Sequence, residues 1–201
     1  MISGYAQNGC SEETLFLFSQ MQGSGIASTP YIFSTVLSAC AKIELLEEGT
    51  QLQAHVYKLG FGSETFVGNA LITLYYRCGS PFLAEQIFDK MKHRDSITWN
   101  SMISGHSFCG NSERALEFFM HMQITGIDPN EYTYPSVLRT CTSLGNLDLG
   151  EHIHGQTIKS GFQLDVYVSS ELIDMYAKCG RLDIAQKMLD RLPEHDIIFS
   201  T

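Results

Sequence analysis

The residues best suited to chemistry in this chain of 201 residues include six cysteines, and their spacing limits what they can do. No two of them form a Cys-x-x-Cys pair of the kind that holds zinc or exchanges disulfides. Cys40 and Cys141 lie 101 residues apart, and so do Cys78 and Cys179. Equivalent positions one unit apart predict small buried side chains, not a disulfide framework, and a reducing compartment suits unpaired thiols.

The other residue types that carry catalysis are not arranged for it either. His152 and His154 are two residues apart, so they point to different faces of a helix and do not form a metal-binding pair. The chain has no P-loop, no dinucleotide fingerprint and no recognisable Ser-His-Asp arrangement. The sequence therefore predicts no metal, no cofactor and no catalytic activity.

The charge of the chain bears on its partners. The net charge is −9 and the isoelectric point is near 5.1. An acidic chain is a poor general binder of nucleic acid, because phosphate affinity comes largely from Lys and Arg. There is no signal peptide, no Arg-rich transit segment and no apolar run long enough to cross a bilayer, so no membrane partner is expected.

The chain repeats itself at an offset of 101 residues. Residues 1–4 recur at 102–105, and roughly a third of all positions are identical at this offset without a gap. Further matches include Leu15 with Leu116, Phe18 with Phe119, Lys58 with Lys159, and Gly60 with Gly161. Such self-similarity is typical of an array of stacked units.

The elements that build the array are predicted to be helices. Leu116, Phe119 and Met122 recur at helical spacing and predict a buried stripe, and Gly and Pro stand between such segments. Nothing alternates as a strand does. The pattern predicts an all-α fold of about six helical hairpins, with Trp99 packed in the core between hairpins.

Specific motifs add a resemblance to this pattern. They are the stretches at residues 99–105 (WNSMISG), 126–130 (GIDPN), 150–155 (GEHIHG) and 172–180 (LIDMYAKCG). These motifs resemble the plant pentatricopeptide-repeat (PPR) family, in the PLS subclass that alternates standard, long and short repeats. The resemblance implies a right-handed α-solenoid. The H-x-E and P-C-x-x-C motifs of a zinc deaminase are absent, so the chain looks like a fragment without the E or DYW domains of that subclass.

In the register of that subclass the chain divides into seven segments. The complete standard, long and short repeats have 35, 35 and 31 residues, which together account for the 101-residue offset. The segments are a partial standard repeat at 1–29, a long repeat at 30–64, a short repeat at 65–95, a standard repeat at 96–130, a long repeat at 131–165, a short repeat at 166–196 and the start of a truncated repeat at 197–201.

The resemblance also implies which residues face RNA. The family reads about one base per repeat with a few side chains. The selector pairs carried over are Asn69 with Asp95, Asn100 with Asn130, and Ser170 with Asp196. By the family's code they favour uracil, then a pyrimidine with cytosine preferred, then guanine. From the residues alone, Asn100 could instead be a helix cap. Asp95, Asp165 and Asp196 could instead be helix caps or solvated connector residues.

The long repeats and the second position of each repeat complete the implied site. The long repeats carry Ser34 with Glu64 and Pro135 with Asp165, and Pro135 has no side-chain donor or acceptor, so no direct reading is expected there. The positions expected to pack against base faces are Phe66, Ile97, Tyr132 and Tyr167. Lys58 and Lys159 either contact phosphates or only complement a helix dipole.

The implied function is sequence-specific binding of single-stranded organellar RNA in a mitochondrion or chloroplast, choosing sites for C-to-U editing. Editing-complex proteins would supply a deaminase. One alternative is a helical-repeat scaffold for protein partners, which the acidic charge favours. Another is a non-functional fragment of a longer protein. Terminal repeats without polar caps predict self-association.

Overall fold

The computed structural model describes residues 1–191, and these form helices joined by short turns, without a β-strand. A short 3-10 helix over Phe61–Ser63 precedes the fifth α-helix. The α-helices of this part of the chain are α1 (Ile2–Gln7), α2 (Ser11–Gly23), α3 (Pro30–Lys42), α4 (Leu46–Lys58), α5 (Thr65–Arg77), α6 (Pro81–Lys90), α7 (Ser96–Phe108), α8 (Ser112–Ile124), α9 (Thr133–Leu144), α10 (Leu147–Lys159), α11 (Val166–Lys178) and α12 (Leu182–Leu189). The predicted all-α fold is confirmed.

The helices recur at the offset seen in the sequence. Helices α2, α4 and α5 are each followed, 101 residues later, by a helix of the same 13-residue length, namely α8, α10 and α11. Helix α3 differs from α9 at its start, since Pro30 opens α3 whereas Glu131, its equivalent, precedes α9. Proline at the first helical position and a hydrogen bond of 3.4 Å from the Ile32 N–H to the Thr29 hydroxyl start α3 early.

Residues 1–105 form one compact unit of the chain. Three helical hairpins build it: α1 with α2, α3 with α4, and α5 with α6. The first helices of successive hairpins also contact each other, α1 with α3 and α3 with α5. Its largest fully buried side chains include Phe33, Leu37, Leu71 and Ile72, each worth roughly 1.5–3 kcal/mol of burial.

The start of α7 belongs to this first unit and packs on its last hairpin. Trp99 is 4% exposed, and its ring meets the ring of Phe88 edge-on at a centroid distance of 5.0 Å. Such an aromatic pair adds about 0.5–1.5 kcal/mol to simple burial. The prediction that Trp99 is a core residue is confirmed.

Residues from 106 onward form the second compact unit. Here α9 pairs with α10 and α11 with α12, α8 packs on α9, and the first helices α9 and α11 contact each other. Of the predicted stripe on α8, Phe119 and Met122 are buried and Leu116 is half-buried.

Two glycines at equivalent positions mark a close approach between one hairpin and the next. A Cβ added to Gly49 would lie 2.2 Å from Cδ2 of Leu74, and one added to Gly150 would lie 2.6 Å from Sδ of Met175. Both glycines begin the second helix of a hairpin and face the first helix of the next. A side chain at either position would force the facing side chain to repack or the helices to move apart.

The cysteines agree with the interpretation as buried apolar residues at two positions. Cys40 and Cys141 are fully buried free thiols, and burial raises the pKa of each to about 11. The other four cysteines are half-buried, namely Cys10, Cys78, Cys109 and Cys179. Of the helices described, none is both long and apolar enough to cross a membrane.

Candidate nucleic-acid interface

The acidic charge of the chain is carried mostly by one class of helix. The second helices of the hairpins (α2, α4, α6, α8, α10 and α12) hold eleven acidic and five basic residues. The first helices (α1, α3, α5, α7, α9 and α11) hold two acidic residues, Glu171 and Asp174, and four basic ones, Lys42, Arg77, Arg139 and Lys178. The first helices are therefore slightly basic although the net charge of the chain is −9.

The structure places the predicted selector pair Asn69 and Asp95 in direct contact. Asn69 lies on the first turns of α5 and Asp95 directly precedes α7, and Nδ2 of Asn69 donates to Oδ1 of Asp95 at 3.3 Å. The hydroxyl of Thr98 lies 2.8 Å from both Oδ1 of Asn69 and Oδ1 of Asp95. The pair is thus one connected polar network.

Asp95 also caps α7, as one of its two interpretations predicted, and its part in base selection stays a prediction. The Thr98 N–H donates to Oδ1 of Asp95 at 2.8 Å, and the Asp95 N–H donates back to the Thr98 hydroxyl at 3.2 Å. This reciprocal arrangement resembles a capping box. Burial alone would raise the pKa of Asp95, but the hydrogen bonds from Thr98 and Asn69 outweigh it and lower the pKa. The carboxyl is therefore an anion at neutral pH.

The exposure of the two members differs. Asn69 is only 8% exposed, whereas Asp95 is exposed. Among the hydrogen bonds of residues 1–191, those that Asp95 accepts on its side chain all reach Oδ1. Oδ2 of this exposed residue therefore remains an available acceptor beside a buried carboxamide.

The second predicted pair has one member in each unit. Asn100 is half-buried on α7 in the first unit. Asn130 precedes α9 in the second unit, where its Oδ1 accepts from the N–H groups of Tyr132 and Thr133 at 3.1 and 3.2 Å. Asn130 therefore has a capping role, and its part in base selection stays a prediction.

The remaining selector positions are less complete. Ser170 is exposed on α11, and Asp196 lies outside the described residues. In the long repeats, the Ser34 hydroxyl donates to the carbonyl of Tyr31, and no hydrogen bond within residues 1–191 joins Ser34 to Glu64. Half-buried Pro135 lies on α9, and Asp165 caps α11 by accepting from the Tyr167 and Val168 N–H groups.

Large apolar side chains at the second repeat position project into solvent. Ile97 is 60% exposed, and Tyr132 and Tyr167 are each 68% exposed. Phe66 is half-buried because its ring stacks on that of Tyr31 at 4.8 Å. Solvent-facing rings on neighbouring first helices are suited to stacking on nucleobases, since every base has a flat π-face.

Sequence reasoning missed Tyr31, which is 73% exposed and belongs to the same set. The signal was available, because Tyr31 is the equivalent of Tyr132 at the 101-residue offset. It also missed the basic residues in the last turns of α3, α5 and α11, which are Lys42, Arg77 and Lys178. Lys58 and Lys159, which it singled out, lie at the ends of second helices.

The chain matches known repeat profiles and known proteins along its length. The profile described as the PPR repeat family matches residues 94–143, and that of the PPR repeat matches residues 1–26, 69–96 and 170–197. Two pentatricopeptide repeat-containing proteins of Arabidopsis thaliana are 42% and 37% identical over 198 residues, 98% of this chain. The chain spans only 27% and 19% of those two relatives, and the second is named mitochondrial.

Solved structures agree with the fold. The crystal structure of the pentatricopeptide repeat protein PPR10 from maize matches with a TM-score of 0.69 at 22% identity, over 97% of this chain and 29% of that one. A structure of PPR10 with an 18-nt psaJ RNA element matches with a TM-score of 0.66 at 20% identity, over 94% of this chain and 33% of that one. The matched repeats together cover more than half of the sequence, and the chain belongs to the pentatricopeptide-repeat family.

Proposed function

We propose that this chain binds single-stranded RNA sequence-specifically, with paired side chains of its repeats selecting bases. The observation that supports this most directly is the hydrogen bond of 3.3 Å between Asn69 and Asp95. Two residues 26 positions apart in sequence meet beside a slightly basic first helix, and they leave an available acceptor. A protein of the same family was crystallised with a bound RNA element, which supports the same class of ligand.

The chemistry of this pair favours uracil or guanine over cytosine or adenine. A carboxylate only accepts hydrogen bonds, so Oδ2 of Asp95 suits a base with a ring N–H on its pairing edge. Uracil and guanine carry that donor, whereas cytosine and adenine carry an acceptor there. The Asn69 carboxamide both donates and accepts, and with Asp95 it corresponds to the family's uracil pair.

The proposed order of readout follows the repeats along an RNA that runs parallel to the chain. Asn69 with Asp95 selects uracil, Asn100 with Asn130 a pyrimidine, Pro135 with Asp165 accepts any base, and Ser170 with Asp196 selects guanine. Ser34 and Glu64 have no joint hydrogen bond and are proposed to read nothing.

We further propose a role in an organelle, in RNA processing or in choosing sites for C-to-U editing by a PLS-type array. Relatives are named mitochondrial or chloroplastic, which supports an organellar setting. The chain spans about a quarter of its relatives, so a deaminase would come from elsewhere in a longer protein or from an editing-complex partner.

The experiment is fluorescence anisotropy of the purified chain with short RNAs containing UCNG, at low and physiological salt. Asn69→Ser is expected to move the preference at the first base from uracil towards guanine, with a change of about 5- to 150-fold for one hydrogen-bonded contact. Thr73→Ser, an exposed change on the same helix, is the matched control and should leave the preference intact.

The competing function is a scaffold for protein partners, which the eleven acidic residues of the second helices favour. The same titration distinguishes the two. A folded chain that binds none of the RNAs at low salt contradicts RNA recognition and leaves the scaffold as the better explanation.

A further inference from the structure

Tyr31 and Phe66 form a stacked pair on the exposed ends of two neighbouring first helices. Tyr31 is in the first turn of α3 and Phe66 in the first turn of α5. Their ring centroids are 4.8 Å apart and the rings are inclined by only 18°. Tyr31 is nevertheless 73% exposed, so the stack is a surface feature and not part of the core.

The equivalent pair in the second unit is arranged differently. Tyr132 and Tyr167 occupy the positions 101 residues later, and each is 68% exposed. Among the ring contacts of residues 1–191, none joins Tyr132 to Tyr167. The second pair therefore offers free ring faces, whereas each ring of the first pair covers a face of the other.

The distance between the first two rings excludes an inserted base. Stacked bases are spaced about 3.4 Å apart, so a slot that holds one base needs rings about 7 Å apart. The helices cannot easily separate to provide that distance, because α3 and α5 pack against each other. Their buried side chains include Phe33, Leu37 and Leu71.

A ring that swung aside instead would exchange a ring–ring stack for a base–ring stack. Loss of the ring–ring stack offsets part of the base–ring stack, so insertion gains less there than at rings that do not stack on each other. At Tyr132 and Tyr167 there is no stack to break, and a base gains its contact in full.

We infer, on the basis of the proposed function, that the two long repeats differ in how they treat RNA. The Tyr31–Phe66 stack closes the first slot, and repeat 30–64 adds no nucleotide to the bound strand. The open pair Tyr132 and Tyr167 lets repeat 131–165 hold one nucleotide by stacking, without reading its identity. The bound strand is therefore one nucleotide shorter than a count of repeats implies.

The polar groups beside each slot are consistent with this difference. The Ser34 hydroxyl donates a hydrogen bond of 3.0 Å to the Tyr31 carbonyl. Pro135 offers no donor, and Oδ1 of Asp165 accepts two N–H groups of its own helix at 3.0 Å. Neither slot has a reading pair, so ring stacking decides whether a nucleotide enters.

The test compares Phe66→Leu with Tyr167→Leu, each of which replaces a ring of one pair by an apolar side chain without a ring. The RNA carries 2-aminopurine either just before the uracil or between the pyrimidine and the guanine of UCNG, and binding is followed by anisotropy of a terminal label. Tyr167→Leu is expected to weaken binding by about 5- to 150-fold, as loss of one base–aromatic stack does. It should also abolish quenching of the second 2-aminopurine.

In the wild-type chain, 2-aminopurine before the uracil should stay unquenched. Phe66→Leu removes the ring that covers Tyr31, so the same 2-aminopurine should become quenched in this variant, with a smaller loss of affinity than Tyr167→Leu causes. Equal quenching at both positions in the wild type, or an equal loss of affinity for the two variants, would overturn the inference while RNA binding stands. No anisotropy change with any RNA would overturn the proposed function, and this inference with it. Circular dichroism melts of both variants confirm that they fold.

Discussion

The two units of the chain solve the same packing problem with different side chains. At the contact between one hairpin and the next, a glycine faces an apolar side chain and a tyrosine hydroxyl meets a polar group. The equivalent contacts are Gly49 with Leu74 and Gly150 with Met175, then Tyr75 with Gln53 and Tyr176 with His154. The positions recur at 101 residues, but a stiff leucine becomes a flexible methionine and a neutral amide becomes a titratable imidazole.

The difference teaches where a repeat array is free to vary. Close approach of helices fixes the size of the residue at Gly49 and Gly150, whatever faces it. The partner of the tyrosine hydroxyl needs only to hydrogen-bond, so Gln53 and His154 both serve. The two units should therefore share a fold and differ in their response to substitution and to pH.

The largest effect is expected at the polar network of the first unit. Thr98→Val removes the hydroxyl that donates to the buried carboxamide oxygen of Asn69, and it should lower the free energy of unfolding by about 1–3 kcal/mol. Urea titration followed by circular dichroism measures the change. Thr98→Ser keeps the hydroxyl and is the control; an equal cost for Thr98→Val and Thr98→Ser would show that the hydroxyl contributes nothing.

An intermediate effect is expected at the close-approach glycines. Gly49→Ala should destabilise the first unit by about 1–3 kcal/mol, because Leu74 is fully buried and cannot give way. The higher helix propensity of alanine offsets about 1 kcal/mol of this cost. Gly150→Ala should cost less, since Met175 can repack. Gly155→Ala, on the same helix as Gly150 with nothing within 4 Å, should stabilise slightly. Thermal unfolding measures the order of the three stability changes. A larger loss of stability for Gly150→Ala than for Gly49→Ala would contradict the prediction.

The smallest effect is a pH dependence confined to the second unit. Burial lowers the pKa of His154 although nearby Glu151 opposes this, so the folded state favours the neutral imidazole. A depressed pKa contributes stability above the unfolded value of about 6.5, and this stability is lost as the pH falls through the folded value. His154→Gln introduces the residue found at the equivalent position 53. It should make the melting temperature less dependent on pH between about pH 5 and 8.

The reciprocal change, Gln53→His, is the control for the first unit. It should introduce the same acid sensitivity there, since the new imidazole would lie beside the Tyr75 hydroxyl. Wild-type and His154→Gln chains with the same pH profile would show that the neutral His154 contact contributes nothing.

Much of the fold was predictable because it depends on periodicity. Helical spacing and the 101-residue offset located the helices and placed Trp99 in the core. The hydrogen-bonded network of Asn69, Asp95 and Thr98 was not predictable in detail, since it depends on how α5 and α7 are rotated about their axes. Asp95 illustrates the limit. The sequence treated capping and base selection as alternatives, whereas in the structure the same carboxylate caps α7 and accepts a hydrogen bond from Asn69.

The Tyr31–Phe66 stack was also predictable only in part. Offset arithmetic identifies Tyr31 as the equivalent of Tyr132, and it was overlooked. Whether two exposed rings touch depends on their rotamers and on the start of each helix, and no residue pattern encodes that. The sequence thus locates the rings, and the structure shows which of them are already occupied by each other.

The uneven charge of the helices has a consequence for how fast a strand finds its place. On the proposed function, the acidic side chains of the second helices, eleven of the thirteen on the helices, repel the phosphates of an approaching strand, and the slightly basic first helices attract them. Encounters are then sorted by orientation during diffusion. Added salt would weaken both this sorting and the attraction. At low salt, an acidic array would therefore combine low affinity with few wrongly oriented encounters.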